Sequence, residues 1–188
     1  MDKLIEWDIE AFLWLNDLHA SWLDPVMYFL TNTLAWTPLF LVLLYLMVRV
    51  HGKQTWIFLL ALTLTIACAD QVTSSLMKPY FARLRPSHNP EIAAAVHIVN
   101  EYKGGRYGFA SSHAANTFGA ATFLFLLLRG RYPAAKWLFL WAVLVSYTRI
   151  YLGVHYPGDL IVGGTIGAAF AWLFYRLAMY SKNTLSQR

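Results

Sequence analysis

The sequence predicts an all-α integral membrane bundle of about five transmembrane helices, preceded by one interfacial helix. Three observations carry that reading. The 188 residues are 58% apolar and only 13% charged, where soluble domains carry about a quarter charged residues. Apolar runs recur at lengths near the ~20 residues that cross a hydrocarbon layer. Basic residues gather in short connections between those runs, as they do in the cytoplasmic loops of membrane proteins. The length suits one domain over 1–188. A single cysteine, Cys68, sits inside an apolar run and excludes an intrachain disulfide. The first residues are acidic and lack a basic n-region, so no cleavable signal peptide is expected.

The elements follow in order. Residues 4–20 mix Leu4, Ile5, Ile9, Phe12, Leu13 and Leu18 with Glu6, Asp8, Glu10 and Asp17. That is too charged to span a bilayer. It reads either as an amphipathic helix at the interface, with Trp7, Trp14 and Trp22 at headgroup level, or as a solvated helix packed on the bundle. A first span lies within 26–50, interrupted by Thr31-Asn32-Thr33 and Pro38. The second runs from about Thr55 to Met77, the third from Ser112 to Leu128, the fourth from about Ala134 to Leu152 and the fifth from Leu160 to Met179. The Pro157-Gly158 pair marks a helix start, because proline suits a first helical turn. The one long connection, 79–111, is rich in Pro, Gly, His and charge, and loops of that length are more often functional than idle.

Charge sets the orientation. The 49–53 and 129–136 turns hold Arg49, Lys53, Arg129, Arg131 and Lys136, and the tail adds Arg176, Lys182 and Arg188, with no acid in any of these regions. The N-terminal segment holds Asp2, Glu6, Asp8, Glu10, Asp17 and Asp24 against Lys3. Both turns and the C-terminus are therefore expected on the cytoplasmic side. The N-terminus, the 79–111 loop and the 153–158 turn are expected outside.

That topology gathers three segments at the outer face: Lys78 with Arg83 and Arg85-Pro86, then Ser111-Ser112-His113, then Arg149, His155 and Asp159. The mixture suits phosphate chemistry. Lysine neutralises phosphate as a point charge and arginine as a bidentate fork. N–H groups at a helix start cradle phosphate oxygens. One histidine can attack phosphorus while a second protonates the leaving oxygen. The six histidines are scattered and no acidic cluster accompanies them, so neither metal nor cofactor is expected.

In detail, Lys78 stands six residues before Arg85-Pro86. Ser111-Ser112-His113 follow, and Thr148-Arg149 precede His155 by five residues, with Asp159 three further on. This resembles the K-x6-RP, PSGH and SR-x5-H-x3-D signature of the type 2 phosphatidic acid phosphatase (PAP2) superfamily. The resemblance covers 78–159. It implies a phosphohistidine on His155 oriented by Asp159, with His113 as the acid on the leaving group and Lys78, Arg85, Ser111 and Arg149 binding phosphate. Ser112 joins that phosphate set at the motif's glycine position. Ala110 and Thr148 replace the motif's proline and serine. The Ser112 exchange matters most if glycine were needed for positive φ or for close backbone approach. Serine is small and keeps its N–H, so activity is expected to survive.

The compact size and outward site resemble small bacterial members that hydrolyse undecaprenyl diphosphate in the inner membrane. That substrate is the first expectation. Phosphatidylglycerophosphate, phosphatidate and the 1-phosphate of lipid A are the alternatives. The partner is a membrane lipid phosphate rather than nucleic acid. A non-catalytic phospholipid-binding or transport protein would use the same cationic mouth without turnover. A soluble acid phosphatase or vanadate-type peroxidase is disfavoured by the five apolar spans. Asp70, Ser74 and Lys78 share one helix face, so Asp70 is expected to pair either with Arg149 or with nearby hydroxyls. Gly163, Gly164 and Gly167 are expected to permit close helix packing.

Overall fold

Prolines, glycines and small polar residues punctuate the chain. Asp24-Pro25 open α2 (Asp24–Leu30), and the Asn32 side chain caps a short 3₁₀ turn by accepting from Leu34 N at 2.9 Å. Pro38 sits in the first turn of α3 (Thr37–His51), which ends at Gly52 with φ of 53°. Before these lies α1 (Asp2–Asp17), and after them α4 (Thr55–Asp70). α4 continues through a π-helical stretch, Gln71–Met77, into the short α5 (Lys78–Phe81). Ser111 caps α6 (Ser112–Leu128), whose bounds are those read from the sequence. α7 (Leu138–Tyr151) starts later than expected because Pro133–Trp137 forms a 3₁₀ turn. α8 (Pro157–Ser186) begins at the proline.

The structure is a computed structural model that describes residues 2–186. Arg188, one of the three tail cations, lies outside them. Six helices have fourteen residues or more, and the only β pairing among the described residues is an isolated bridge between Leu84 and Tyr107. Among the described residues two helical stretches, Thr33–Phe81 and Pro157–Leu185, are long and apolar enough to cross a membrane. The first is divided at Gly52 into α3 and the α4–α5 rod. Leu41, Leu60 and Ile161 are exposed on the flanks of these helices, and Leu140 on α7. An apolar surface so distributed suits lipid better than water.

The main core forms where Leu43, Met47, Phe58, Phe123, Leu124, Leu128 and Leu138 meet. α6 and α8 pack most closely. Gly163 lies against the Ser111 carbonyl, Gly167 against the Ala115 carbonyl, and Gly119 approaches the Gly167 carbonyl. These glycines bring the start of α6 and the start of α8 together at one end of the bundle. The ends of α5 and α7 reach the same place.

The N-terminal helix packs on the bundle through one face. Trp7 and Trp14 are exposed, while Phe12 is fully buried with its ring 5.4 Å from that of Tyr156. Asn16 ties the helix down by donating to the carbonyls of Ile150 and Tyr151 at 3.0 Å each and accepting from His97 N at 2.8 Å. His97, in the 79–111 loop, is half-buried. It pairs with Asp24 at 2.9 Å and stacks on His19.

Candidate active site

At the start of α6 the Ser111 hydroxyl accepts from Ala114 N at 3.4 Å, a side-chain N-cap. The Ser111 N–H donates to the Asp159 carbonyl at 3.0 Å, which ties this helix start to the next motif. The first-turn N–H groups of Ser112 and His113 have no intrahelical acceptor. They stand at the positive end of the helix dipole, where an anion is favoured.

The second motif sits in the turn between α7 and α8. Gly153, at φ of 70°, makes that turn, and a Cβ there would stand 2.6 Å from Val96 Cγ1. The His155 N–H donates to the Arg149 carbonyl at 3.2 Å, so the two motif residues are joined through backbone. His155 is 1% and Asp159 0% exposed. The Asp159 carboxylate lies 3.2 Å from His155 Nδ1 and also accepts from Tyr156 N at 3.1 Å. A proton held on Nδ1 leaves the Nε2 lone pair free.

Arg83 is off-motif but holds this carboxylate. Its Nη1 donates to Asp159 Oδ1 at 3.0 Å, its Nη2 lies 2.8 Å from Asp8 Oδ2 in α1, and its guanidinium covers the Tyr156 ring at 3.9 Å. Asp8 also accepts from Gly158 N at 2.7 Å, at the start of α8. The N-terminal helix is thereby wired to the His155–Asp159 pair. No spacing rule predicted Asp8. Its signal was an acid on an otherwise apolar helix face.

The cations come from three elements. Arg85 Nε donates to the Tyr107 carbonyl at 3.1 Å, while Nη1 is buried with no hydrogen-bond partner among the described residues. Arg149 is 2% exposed; it donates to Thr31 Oγ1 at 2.6 Å and to the Tyr102 hydroxyl at 3.1 Å, and its Nε is likewise unpartnered. Buried guanidinium N–H groups without acceptors are costly unless something else supplies an oxygen. The 79–111 loop is pinned rather than loose: Arg85 N donates to the Arg106 carbonyl at 3.1 Å, Gly108 N to the Arg83 carbonyl at 2.9 Å, and Gly104 presses on the Arg85 guanidinium.

Lys78 projects from the end of the π-helical stretch, a departure from α geometry that often marks functional positions. Its Nζ donates to Ser112 Oγ at 2.7 Å and to Ser74 Oγ at 3.3 Å, and the two hydroxyls lie 2.7 Å apart. Ser112 has negative φ: among the described non-glycine residues, Ala82, Asn100 and Glu101 alone have positive φ. The position therefore does not require glycine, and the added hydroxyl gives the lysine a partner. Asp70 does not reach Arg149. It accepts from Ser74 at 3.5 Å and Asn116 at 3.4 Å, the hydroxyl-type pairing.

The His113 imidazole makes no side-chain hydrogen bond among the described residues. The charged and titratable groups acting on it are Arg149, His155, Arg85 and Lys78. All eight residues singled out by sequence thus lie at one end of the bundle. Among the described residues no group of three or more His, Cys, Asp or Glu side chains could hold a metal ion. The arrangement offers one buried imidazole with a carboxylate behind it, a second imidazole, and four cations around them, Lys78, Arg83, Arg85 and Arg149. It can bind a phosphoryl group and transfer it.

A family model described as the PAP2 superfamily matches residues 54–183. The chain belongs to the PAP2 superfamily. It is 44% identical over 181 residues to a protein named lipid A 4'-phosphatase from Bacteroides thetaiotaomicron, covering 95% of this chain and 80% of that relative. To an undecaprenyl-diphosphatase from Sulfolobus acidocaldarius it is 29% identical over 181 residues, covering 92% and 79%. Its fold matches the crystal structure of a transmembrane PAP2-type phosphatidylglycerolphosphate phosphatase from Bacillus subtilis, with a TM-score of 0.70, 20% identity, and coverage of 96% of this chain and 88% of that one. The protein is a membrane lipid phosphatase, a hydrolase acting on lipid phosphate.

In this PAP2 phosphatase the buried His155 is held well below the ordinary imidazole value of 6.5, first by burial and then by the charges of Arg85, Arg149, Lys78 and Arg83. The unfolded chain takes up that proton near its ordinary value, while the folded chain refuses it until lower pH. Stability from this group is complete above 6.5 and is lost as pH falls below it. Melting in detergent between about pH 7 and pH 5 should show a decline of at most about 1.4 kcal/mol per pH unit from this one proton. His155→Gln should flatten the decline. An unchanged slope in that variant would show that His155 is not held neutral.

Proposed function

We propose that this phosphatase, acting as one domain over 1–188, removes a phosphate monoester from an acylated saccharide lipid of the lipid A type. It does so at the outer face of a bacterial inner membrane. The observation that carries the chemistry is the buried His155–Asp159 pair set among Arg85, Arg149 and Lys78. His155 Nε2 attacks phosphorus, the phosphorus–oxygen ester bond breaks with its electron pair on the leaving oxygen, and His113, which takes up a proton once the anionic phosphate is bound beside it, gives that oxygen its proton. Water then attacks the phosphohistidine, His113 takes a proton from it, and inorganic phosphate leaves. Lys78, Arg85 and Arg149, with the N–H groups at the Ser111-capped start of α6, hold the non-bridging oxygens as charge shifts onto them. Asp159 fixes the His155 tautomer. This mechanism routes no step through a metal.

The substrate choice departs from the first expectation. Identity of 44% to the lipid A 4'-phosphatase against 29% to the undecaprenyl-diphosphatase supports the lipid A alternative. The cationic mouth alone suits any lipid phosphate. The segregation of Arg49, Lys53, Arg129, Arg131 and Lys136 to the opposite end of the bundle supports the outward orientation.

The test is phosphate release by the purified full chain in detergent with a chelator present. The panel is lipid A, phosphatidate, phosphatidylglycerophosphate and undecaprenyl diphosphate. Turnover should persist under chelation and kcat/KM should be highest on lipid A. A strict metal requirement, binding without turnover, or a preference for undecaprenyl diphosphate would overturn the reading.

A further inference from the structure

Two cavities meet at Thr31 and His113. One, of about 470 Å³, is lined by Tyr28, Asn32, Asn100, Tyr102 and Arg149. The other, of about 340 Å³, lies among α3, α4, α6 and α7 and is lined by Trp36, Phe40, Leu62, Ile66 and Trp141. A third groove of about 480 Å³, between α7 and α8, contains none of the phosphate-site residues. We infer that the first cavity is a saccharide subsite for the ring that carries the leaving oxygen, and that the second takes an acyl chain borne by that ring. The inference rests on the proposed lipid phosphatase mechanism and assigns the part of the site that chooses the substrate.

The argument starts from stereochemistry. In-line displacement places the leaving oxygen opposite His155, on the side of the acid that protonates it. Whatever is attached to that oxygen must occupy the space onto which His113 opens, and His113 lines both cavities. Their linings therefore describe the leaving group.

The first lining combines rings and amides. The Tyr28 and Tyr102 rings stand 6.4 Å apart at 80°. Asn32 spends its oxygen on Leu34 N and keeps its amide donors, and Asn100 makes no side-chain hydrogen bond among the described residues. Amides that exchange hydrogen bonds with hydroxyls, beside aromatic faces that meet C–H groups, suit a saccharide. Among the described residues Arg149 is the one Lys or Arg that lines it, and it already donates to Thr31 and Tyr102. A leaving group that was itself a phosphate, as in a diphosphate, would bring further negative charge into a space whose described lining holds no second Lys or Arg.

The second lining is apolar and aromatic. The Trp141 ring receives Trp36 and Phe40 edge-to-face, each at 5.9 Å. A hydrocarbon chain attached near the leaving oxygen would pass Thr31 and lie between these helices, with its methylenes away from water. The pair of cavities thus matches a leaving group that is both saccharide and acylated.

Tyr28→Ala removes a ring from the first cavity, and Asn100→Gly removes an amide at a position of φ 51° that glycine accepts. Each should lower the ratio of kcat/KM on lipid A to that on phosphatidate by about tenfold. Leu62→Trp should fill the second cavity and lower the ratio of long-acyl to short-acyl saccharide phosphate by a similar factor, about tenfold. If the wild-type chain hydrolyses lipid A and none of the three variants moves its ratio, the subsite assignment is wrong while the phosphatase reading stands. If the wild-type chain hydrolyses no lipid phosphate in the panel, the underlying reading fails first.

Discussion

His155→Gln should abolish phosphate release and leave the fold intact. Glutamine fills much of the imidazole volume in a site that is almost fully buried, yet it has no nucleophilic nitrogen lone pair. The expected loss in kcat is about 10⁴-fold or more, the scale on which removing a covalent nucleophile acts. Asp159→Asn keeps the shape but replaces the oxygen that lies 3.2 Å from His155 Nδ1. An amide there favours the wrong tautomer, and the loss should be about 10³–10⁴-fold. Arg83→Gln acts one step further out, through Asp159, and should cost about tenfold in kcat with KM little changed. The three variants form a graded series read by phosphate release, with melting temperature and elution profile as fold controls. A rapid quench followed by detection of acid-labile phosphoprotein should find the intermediate in the wild-type chain and not in His155→Gln. Turnover within tenfold of wild type by a folded His155→Gln would remove the nucleophile from the mechanism.

How much of this was legible in the sequence depends on the range of the interaction. Helix boundaries follow local rules, so Ser111 as an N-cap and Pro157 as a helix start could be read directly. The three motif segments converge because helices running up and down return their ends to the same face. Their meeting needed only the count and direction of the spans. The partners that hold the motif residues in place obey no such rule. Asp8 meets Arg83 across 75 residues of chain, and Arg149 meets Thr31 across 118. Those contacts depend on how α1 docks and where the 79–111 loop travels. Neither path is written in a periodicity. Ser112 shows the same limit locally. Its φ, and the lysine waiting for its hydroxyl, are visible only once the π-helical stretch has set the position of Lys78.

The substrate was illegible for a related reason. Cations and imidazoles recognise phosphate, which every candidate lipid shares. The residues that face the leaving group, Tyr28, Asn32 and Asn100 among them, lie in α2, its following turn and the loop, outside the motifs. Motif reading therefore settles the reaction before it settles the lipid.

Gly163→Ala should damage the enzyme through packing alone, although the residue carries no chemistry. A Cβ at Gly163 collides with the Ser111 carbonyl, and a Cβ at Gly167, one turn deeper, collides with the Ala115 carbonyl. Backbone atoms cannot swing aside as a side chain does, so either substitution must push α6 and α8 apart. Overpacking of this kind costs about 1–3 kcal/mol, and both variants should melt earlier. Their activities should differ. Ser111 caps the helix start that carries His113, and its N–H holds the Asp159 carbonyl at 3.0 Å. Moving Ser111 displaces both imidazoles relative to each other, and misplacement by an ångström in a preorganised site can cost about 10²-fold. Gly163→Ala should therefore lose about 10²-fold in kcat, while Gly167→Ala loses stability with a much smaller loss of turnover. Equal activity losses in the two variants would mean that both act through general unfolding. Full activity in a destabilised Gly163→Ala would mean that the start of α6 is positioned by something other than its contact with α8.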